Sequence, residues 1–262
     1  MTSYQVALAD NQTLGVRHVP PDAHWRWLAL GWVDFKASWR YGVLIGLVPV
    51  LAAWIMVIGL WRLGMLGFIP AVCGAFALVG PILAIGCYDI SRRLAAGETI
   101  NLKAILWPRI ASPGQAAVIG FVLMFILIVW ARLASMIFAL ASSARQPAAS
   151  LDFMTFALQT PEGLTMIAVG TVVGAGLAAI GYVVSVVSIP LAADRKIDAM
   201  TAMMVSVMAV SRSKGAMISF AFSIAILVGI SLATGFLALI IVFPWLGHAT
   251  WHGYKAVTED IA

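Results

Sequence analysis

Charge is what this chain has least of. Only 10% of its 262 residues are Asp, Glu, Lys or Arg, against 62% that are hydrophobic; soluble domains carry roughly 25% charged and about 45–50% apolar residues. No Asp or Glu occurs in 41–88, 115–151, 163–193 or 199–258. A fold in water cannot hide so much apolar surface, and the mean hydropathy of +1.00 excludes a soluble enzyme and a disordered chain alike. Cysteine is nearly absent as well: Cys73 and Cys87 are the two present. On one helix their fourteen-residue separation spans roughly 21 Å, too far for a disulfide. A disulfide scaffold and a cysteine-based metal site are therefore not expected. Residues 1–40 hold no apolar run of the kind a cleavable signal needs.

What is present is a series of apolar runs. A helix needs about 20 apolar residues to cross roughly 30 Å of hydrocarbon. Runs at 41–61, 65–88, 116–138 and 165–192 meet this requirement. The last run, Ala216 to about Tyr254, would be nearly 60 Å long as one helix. It holds either two spans or one span and an interfacial segment.

Basic residues alternate between the connections. Arg17, Arg26, Lys36 and Arg40 precede the first run; Arg92, Arg93, Lys103 and Arg109 follow the second; Arg195, Lys196, Arg212 and Lys214 follow the fourth. The remaining connections carry Arg62, Arg132 and Arg145. The positive-inside rule puts the first group in the cytoplasm. With two spans in the last run, Lys255 joins that side and 13 of the 16 Lys and Arg residues lie inside. The net charge of +5 then reflects orientation and anionic lipid headgroups, not nucleic acid.

A weak internal repeat favours two spans. Gly80-Pro81-Ile82-Leu83-Ala84 runs on to Tyr88-Asp89-Ile90-Ser91-Arg92-Arg93. Ile189-Pro190-Leu191-Ala192-Ala193 runs on to Asp194-Arg195-Lys196, and Phe243-Pro244-Trp245-Leu246-Gly247 to Tyr254-Lys255. Each pair of runs follows a mixed apolar-basic segment, at 25–40, 100–114 and 198–215. The expected fold is all-α: a polytopic transmembrane bundle of six spans, built as three helical hairpins with cytoplasmic interfacial segments. The spans are expected at about 41–61, 65–88, 116–138, 165–192, 216–234 and 236–256. Residues 1–24 form an N-terminal tail and 25–262 one membrane domain. Ser231 to Gly235 supplies the last turn, and the 142–163 connection has room for a short helix around Leu151 to Leu158.

Small residues at four-residue spacing, Gly42 with Gly46 and Gly170 with Gly174 and Ala178, offer helix contacts inside the chain. Pro49, Pro81, Pro190 and Pro244 should kink their helices. Trp54, Trp61, Trp130, Trp245 and Trp251 fall near expected interfaces. In 25–40, Trp25, Leu28, Trp32, Phe35 and Trp39 mark one helical face beside Arg26, Lys36 and Arg40. This pattern suits a helix lying in the plane of the cytoplasmic leaflet.

Two constellations are candidates for chemistry. His248 and His252, at i and i+4, have the spacing of a two-histidine metal pair. No carboxylate or cysteine nearby completes the set, and Asp89, Asp34 or His24 would reach it only by tertiary folding. Interfacial histidines bonded to backbone or headgroups are the plainer alternative, and no cofactor is expected. In the second group, Asp89, Arg92 and Arg93 could hold a phosphate-bearing lipid or substrate; the alternative is an internal Asp89–Arg pair, with the other Arg a topology signal. No ionisable group falls at an expected midplane, which disfavours a proton-coupled transporter. No Ser–His or paired-carboxylate set is visible within a span, so an enzyme is not expected.

The stretches GPILAIGCYDISRRLAAGE (80–98) and FPWLGHATWH (243–252) resemble a bacterial, proteobacterial family of predicted integral membrane proteins of unknown function, over nearly all of 25–256. The resemblance implies a multi-pass protein of a bacterial inner membrane and names no substrate. The reading it leaves is a non-enzymatic scaffold, assembly factor or accessory subunit, in contact with membrane lipids and partners in a membrane complex. The alternative is a carrier or facilitator for a small neutral or lipid-like solute.

Overall fold

The computed structural model describes residues 4–7, 13–65, 68–142 and 150–261. Helices dominate. They are α1 (Ala23–Ala37), α2 (Trp39–Arg62), α3 (Ile69–Leu83), α4 (Ile85–Ala95), α5 (Leu102–Leu106), α6 (Pro113–Ser142), α7 (Ser150–Gln159), α8 (Pro161–Ser185), α9 (Ser188–Asp194), α10 (Ala199–Arg212), α11 (Lys214–Ala233) and α12 (Leu239–Val257). Among the described residues, five stretches are long and apolar enough to cross a membrane: Trp39–Arg62, Val72–Ala95, Pro113–Ser142, Pro161–Asp194 and Lys214–Ala233. Residues 216–256, ambiguous in sequence, form two helices, α11 and α12. The turn between them uses positive φ at Gly235 (62°) and Phe236 (71°). α12 has the length of a span, but two histidines, a lysine and a tyrosine in its second half lower its hydropathy. The short helix anticipated within 142–163 is α7.

The N-terminal tail is partly structured, which the sequence reading missed. Strands β1 (Tyr4–Ala7), β2 (Thr13–Val16) and β3 (Thr258–Ile261) form an antiparallel sheet in the order β1-β2-β3, with Val16 opposite Thr258. Leu14 and Val16 are buried, and Arg212 donates to the Val16 carbonyl at 2.7 Å. The chain's two ends are thus joined beside the start of α11.

The fold comprises two compact units, one of residues 1–51, 81–120 and 182–262 and the other of 52–80 and 121–181. The first holds the larger core. There α1 packs along α12 in close contact, with Trp27, Leu28, Gly31 and Phe35 turned inward. A Cβ at Gly31 would lie 2.6 Å from the backbone nitrogen of Ala249, and one at Gly46 would lie 2.2 Å from the Ile240 carbonyl oxygen. The Gly42–Gly46 pair is therefore an internal contact with α12. Trp245 donates its indole N–H to the Leu28 carbonyl at 2.8 Å.

This packing corrects the face assigned to α1. Leu28 and Phe35 point inward with Trp27 and Gly31, while Trp25, Trp32 and Trp39 remain exposed. The segment has two apolar stripes, and the one containing Gly31 approaches another backbone closely enough to be buried first.

Two of the four prolines expected to kink their helices accompany breaks, while Pro49 and Pro244 lie inside the uninterrupted α2 and α12. Pro190 has no N–H to offer Val186, and α8 and α9 are interrupted at residues 186–187. Ser206 of α10 repairs the gap: its hydroxyl donates to the Val183 carbonyl at 2.7 Å and accepts from the Val187 N–H at 3.2 Å. α3 and α4 are interrupted at Ala84, three residues after Pro81. In the second unit Trp130 is buried, and its ring sits against Gly74 and Gly174. Gly170 faces open space.

Candidate functional site: where three helix ends meet

The three proline-marked segments converge in the first unit. α4, α9 and α12 pack on one another, and α1 closes against α4 and α12. This brings the charged ends of all three sequence repeats together.

Asp89 lies on the inner face of α4, its side chain 1% exposed. Arg92 donates to one carboxylate oxygen through Nε (3.0 Å) and Nη2 (2.9 Å), and Arg93 donates to the other through Nε at 2.9 Å. Both arginines, not one, are therefore held by Asp89. Glu98 adds a second carboxylate, with Arg92 donating to it at 3.0 and 3.2 Å. The local sequence explains its position. Gly97, with φ +66°, ends α4 in a left-handed turn. Its N–H bonds the Leu94 carbonyl and that of Glu98 bonds the Arg93 carbonyl, the two reverse bonds that close a helix at glycine. The turn folds Glu98 back over the arginines.

The histidines belong to a second network. His252 Nε2 donates to Asp34 Oδ2 at 2.8 Å. The same oxygen accepts from the Ser91 hydroxyl at 2.6 Å, and Ser91 Oγ lies 2.8 Å from His248 Nδ1. A hydroxyl has one proton, and here the carboxylate takes it. His248 Nδ1 must then be the donor to Ser91 Oγ, leaving Nε2 as a bare acceptor. That atom is the buried side-chain nitrogen without a partner among the described residues, in a residue 0% exposed. Burial raises the Asp34 pKa, but hydrogen bonds from His252 and Ser91 and the charge of His252 outweigh it, and the carboxyl is held below its ordinary value.

A Ser–His contact therefore exists, formed between α4 and α12 and not within one span. Its wiring differs from that of a nucleophilic triad. There the carboxylate orients the imidazole and the imidazole accepts from the serine; here the carboxylate accepts from the serine and His248 donates to it. Ser91 is also buried. Among the described residues no group of three or more His, Cys, Asp or Glu is placed to hold a metal ion.

A third cluster was legible only in part: the sequence marks Asp194 beside Arg195 but not its bonds to α12. Tyr254 donates to Asp194 Oδ2 at 2.7 Å, and Lys255 Nζ lies 3.2 Å from the same oxygen. The sequence signal was the repeat itself: an acidic residue after Pro190 and Tyr-Lys after Pro244. Between the clusters lies an open depression of about 420 Å³, lined by Arg92, Ala96, Asp194, Trp251, His252 and Lys255. His248 and Asp89 do not line it.

Residues 68–194 match a protein family described as predicted integral membrane protein (DUF2189). The chain is an integral membrane protein with several apolar helices. The match includes the 80–98 stretch and ends before 243–252, so it is narrower than the 25–256 expected. It spans α3 to α9, and so takes in Asp89, Ser91, Arg92, Arg93 and Asp194. No curated protein and no solved structure matches the chain.

Proposed function

We propose that this protein is a non-enzymatic component of a membrane complex, a scaffold, assembly factor or accessory subunit. The observation that carries the reading is the internal use of its reactive groups. Asp89, Arg92 and Arg93 pair within α4 and with Glu98 in the turn after it, while Ser91, Asp34, His248 and His252 bond across helices. The second set fixes α1, α4 and α12 together. The surface offers apolar aromatics outside the apolar stretches instead: Trp25 is 66% exposed on α1 and Trp107 is 77% exposed after α5. Exposed tryptophans, with an apolar body and a polar N–H, suit contact with protein or lipid.

In this reading the protein sits in a bacterial inner membrane with six spans and both termini in the cytoplasm. Supporting the sixth span, the strand after α12 pairs with β2, beside the start of α11, so α12 ends on the side from which α11 begins. The basic loops belong to that side. A photo-crosslinking residue at Trp25 or Trp107 is expected to capture one discrete protein in membranes; capture of lipid alone contradicts the reading. A fluorophosphonate probe is expected to leave Ser91 unlabelled, and labelling lost in Ser91→Ala would make the protein an enzyme.

The depression supports a second reading, a carrier for a small or lipid-like solute. Flux in proteoliposomes that disappears in His252→Ala would favour it.

A further inference from the structure

We infer that the depression between α4, α9 and α12 is a binding site for a phosphate-bearing group. Two cationic side chains from two of the converging helices, Arg92 and Lys255, line it beside His252, Asp194 and the indole of Trp251. Its volume of about 420 Å³ exceeds a bare phosphate and suits a phosphate carried on a small organic body or a lipid headgroup.

Arg92 is held ready for such a ligand. Buried Asp89 fixes its Nε and Nη2, so little side-chain freedom remains to be lost on binding. The outer edge of the guanidinium is met by Glu98, 41% exposed at its side chain and carried on the glycine turn. A solvent-facing carboxylate in bidentate contact with an arginine occupies the place a phosphate takes in the same geometry. Glu98 is thus an internal anion that a ligand phosphate displaces, while Asp89 stays in place. Lys255 is about as exposed as Glu98. It pairs with Asp194 at 3.2 Å and lies 5.6 Å from the centre of the Trp251 ring, from which its flexible stem can swing to the same phosphate. The inference does not depend on the complex-component reading, since a bound phosphate group can anchor a lipid to a subunit or belong to a solute.

The test uses the full chain in neutral detergent, with thermal unfolding as readout. One arm adds inorganic phosphate; the other adds mixed micelles containing phosphatidic acid, with phosphatidylcholine as control. Glu98→Gln and Lys255→Gln are both solvent-facing changes that leave Asp89 paired. Stabilisation is expected at a concentration about fivefold lower in Glu98→Gln and about fivefold higher in Lys255→Gln, each being the change of one partly screened charge contact. A response in both arms assigns the site to the phosphate itself; a response to phosphatidic acid alone assigns it to a lipid headgroup. No stabilisation in either arm, or stabilisation that neither substitution shifts, overturns the inference.

Discussion

At Ser91 one proton decides how the network is wired. Because Asp34 takes it, His248 is fixed as an Nδ1–H tautomer and its Nε2 is left without a partner. Removing the hydroxyl in Ser91→Ala strands the Nδ1–H and one carboxylate lone pair. This should cost about 1–3 kcal/mol, read as a lower unfolding midpoint in detergent. Asp34 gives the network its pH dependence. Its carboxyl titrates below the ordinary value in the folded protein, so the unfolded chain binds a proton more readily. The stability it contributes is fully present above about pH 4, where the unfolded carboxyl is ionised, and is lost as pH falls through the folded value. Unfolding curves should show that loss on acidification and a smaller loss in Asp34→Asn. Residue types alone could not reveal this network. Asp34, Ser91 and His248 stand in three different helices, and only the packing of α1 and α4 on α12 and on each other brings them into contact.

At the scale of elements, local chemistry was more legible. Apolar run length gave the long helices, because satisfying the backbone inside hydrocarbon leaves few alternatives to a helix. Prolines marked the interruptions near Ala84 and at 186–187. The face of α1 was not legible, since periodicity shows that two stripes exist but not which one finds a partner. Glycine spacing was informative only where another group lies opposite: Gly46 meets the Ile240 backbone and Gly174 the Trp130 ring, while Gly170 meets nothing within 4 Å. Gly46→Ala should therefore destabilise the fold by about 1–3 kcal/mol through overpacking. Gly59→Ala, in the same helix with nothing within 4 Å of the added carbon, should be neutral or gain up to about 1 kcal/mol. Paired unfolding measurements on the two variants check this directly. Equal effects would mean that α2 does not approach α12 closely.

For the whole molecule, the repeat in the sequence has a structural meaning. Three segments, each marked by a proline and ending in charged or aromatic residues, pack together as α4, α9 and α12, and their ends form one polar junction. The strand pairing of the two termini lay beyond reach of the pattern, because four-residue strands carry too little periodicity to register against long helices. The proposed six-span arrangement predicts how the surface divides. An impermeant maleimide applied to intact spheroplasts should label Arg62→Cys and spare Lys255→Cys, with both sites labelled after lysis. Labelling of Lys255→Cys from outside would leave α12 on the outer side and reduce the spans to five.

The proposed role turns on whether this protein works alone. Purification of the tagged chain in mild detergent, followed by mass spectrometry and a mass measurement of the intact particle, answers that directly. The account predicts a second protein at fixed stoichiometry that is lost when Trp25 and Trp107 are replaced together. A monodisperse particle of this chain and lipid alone would contradict it.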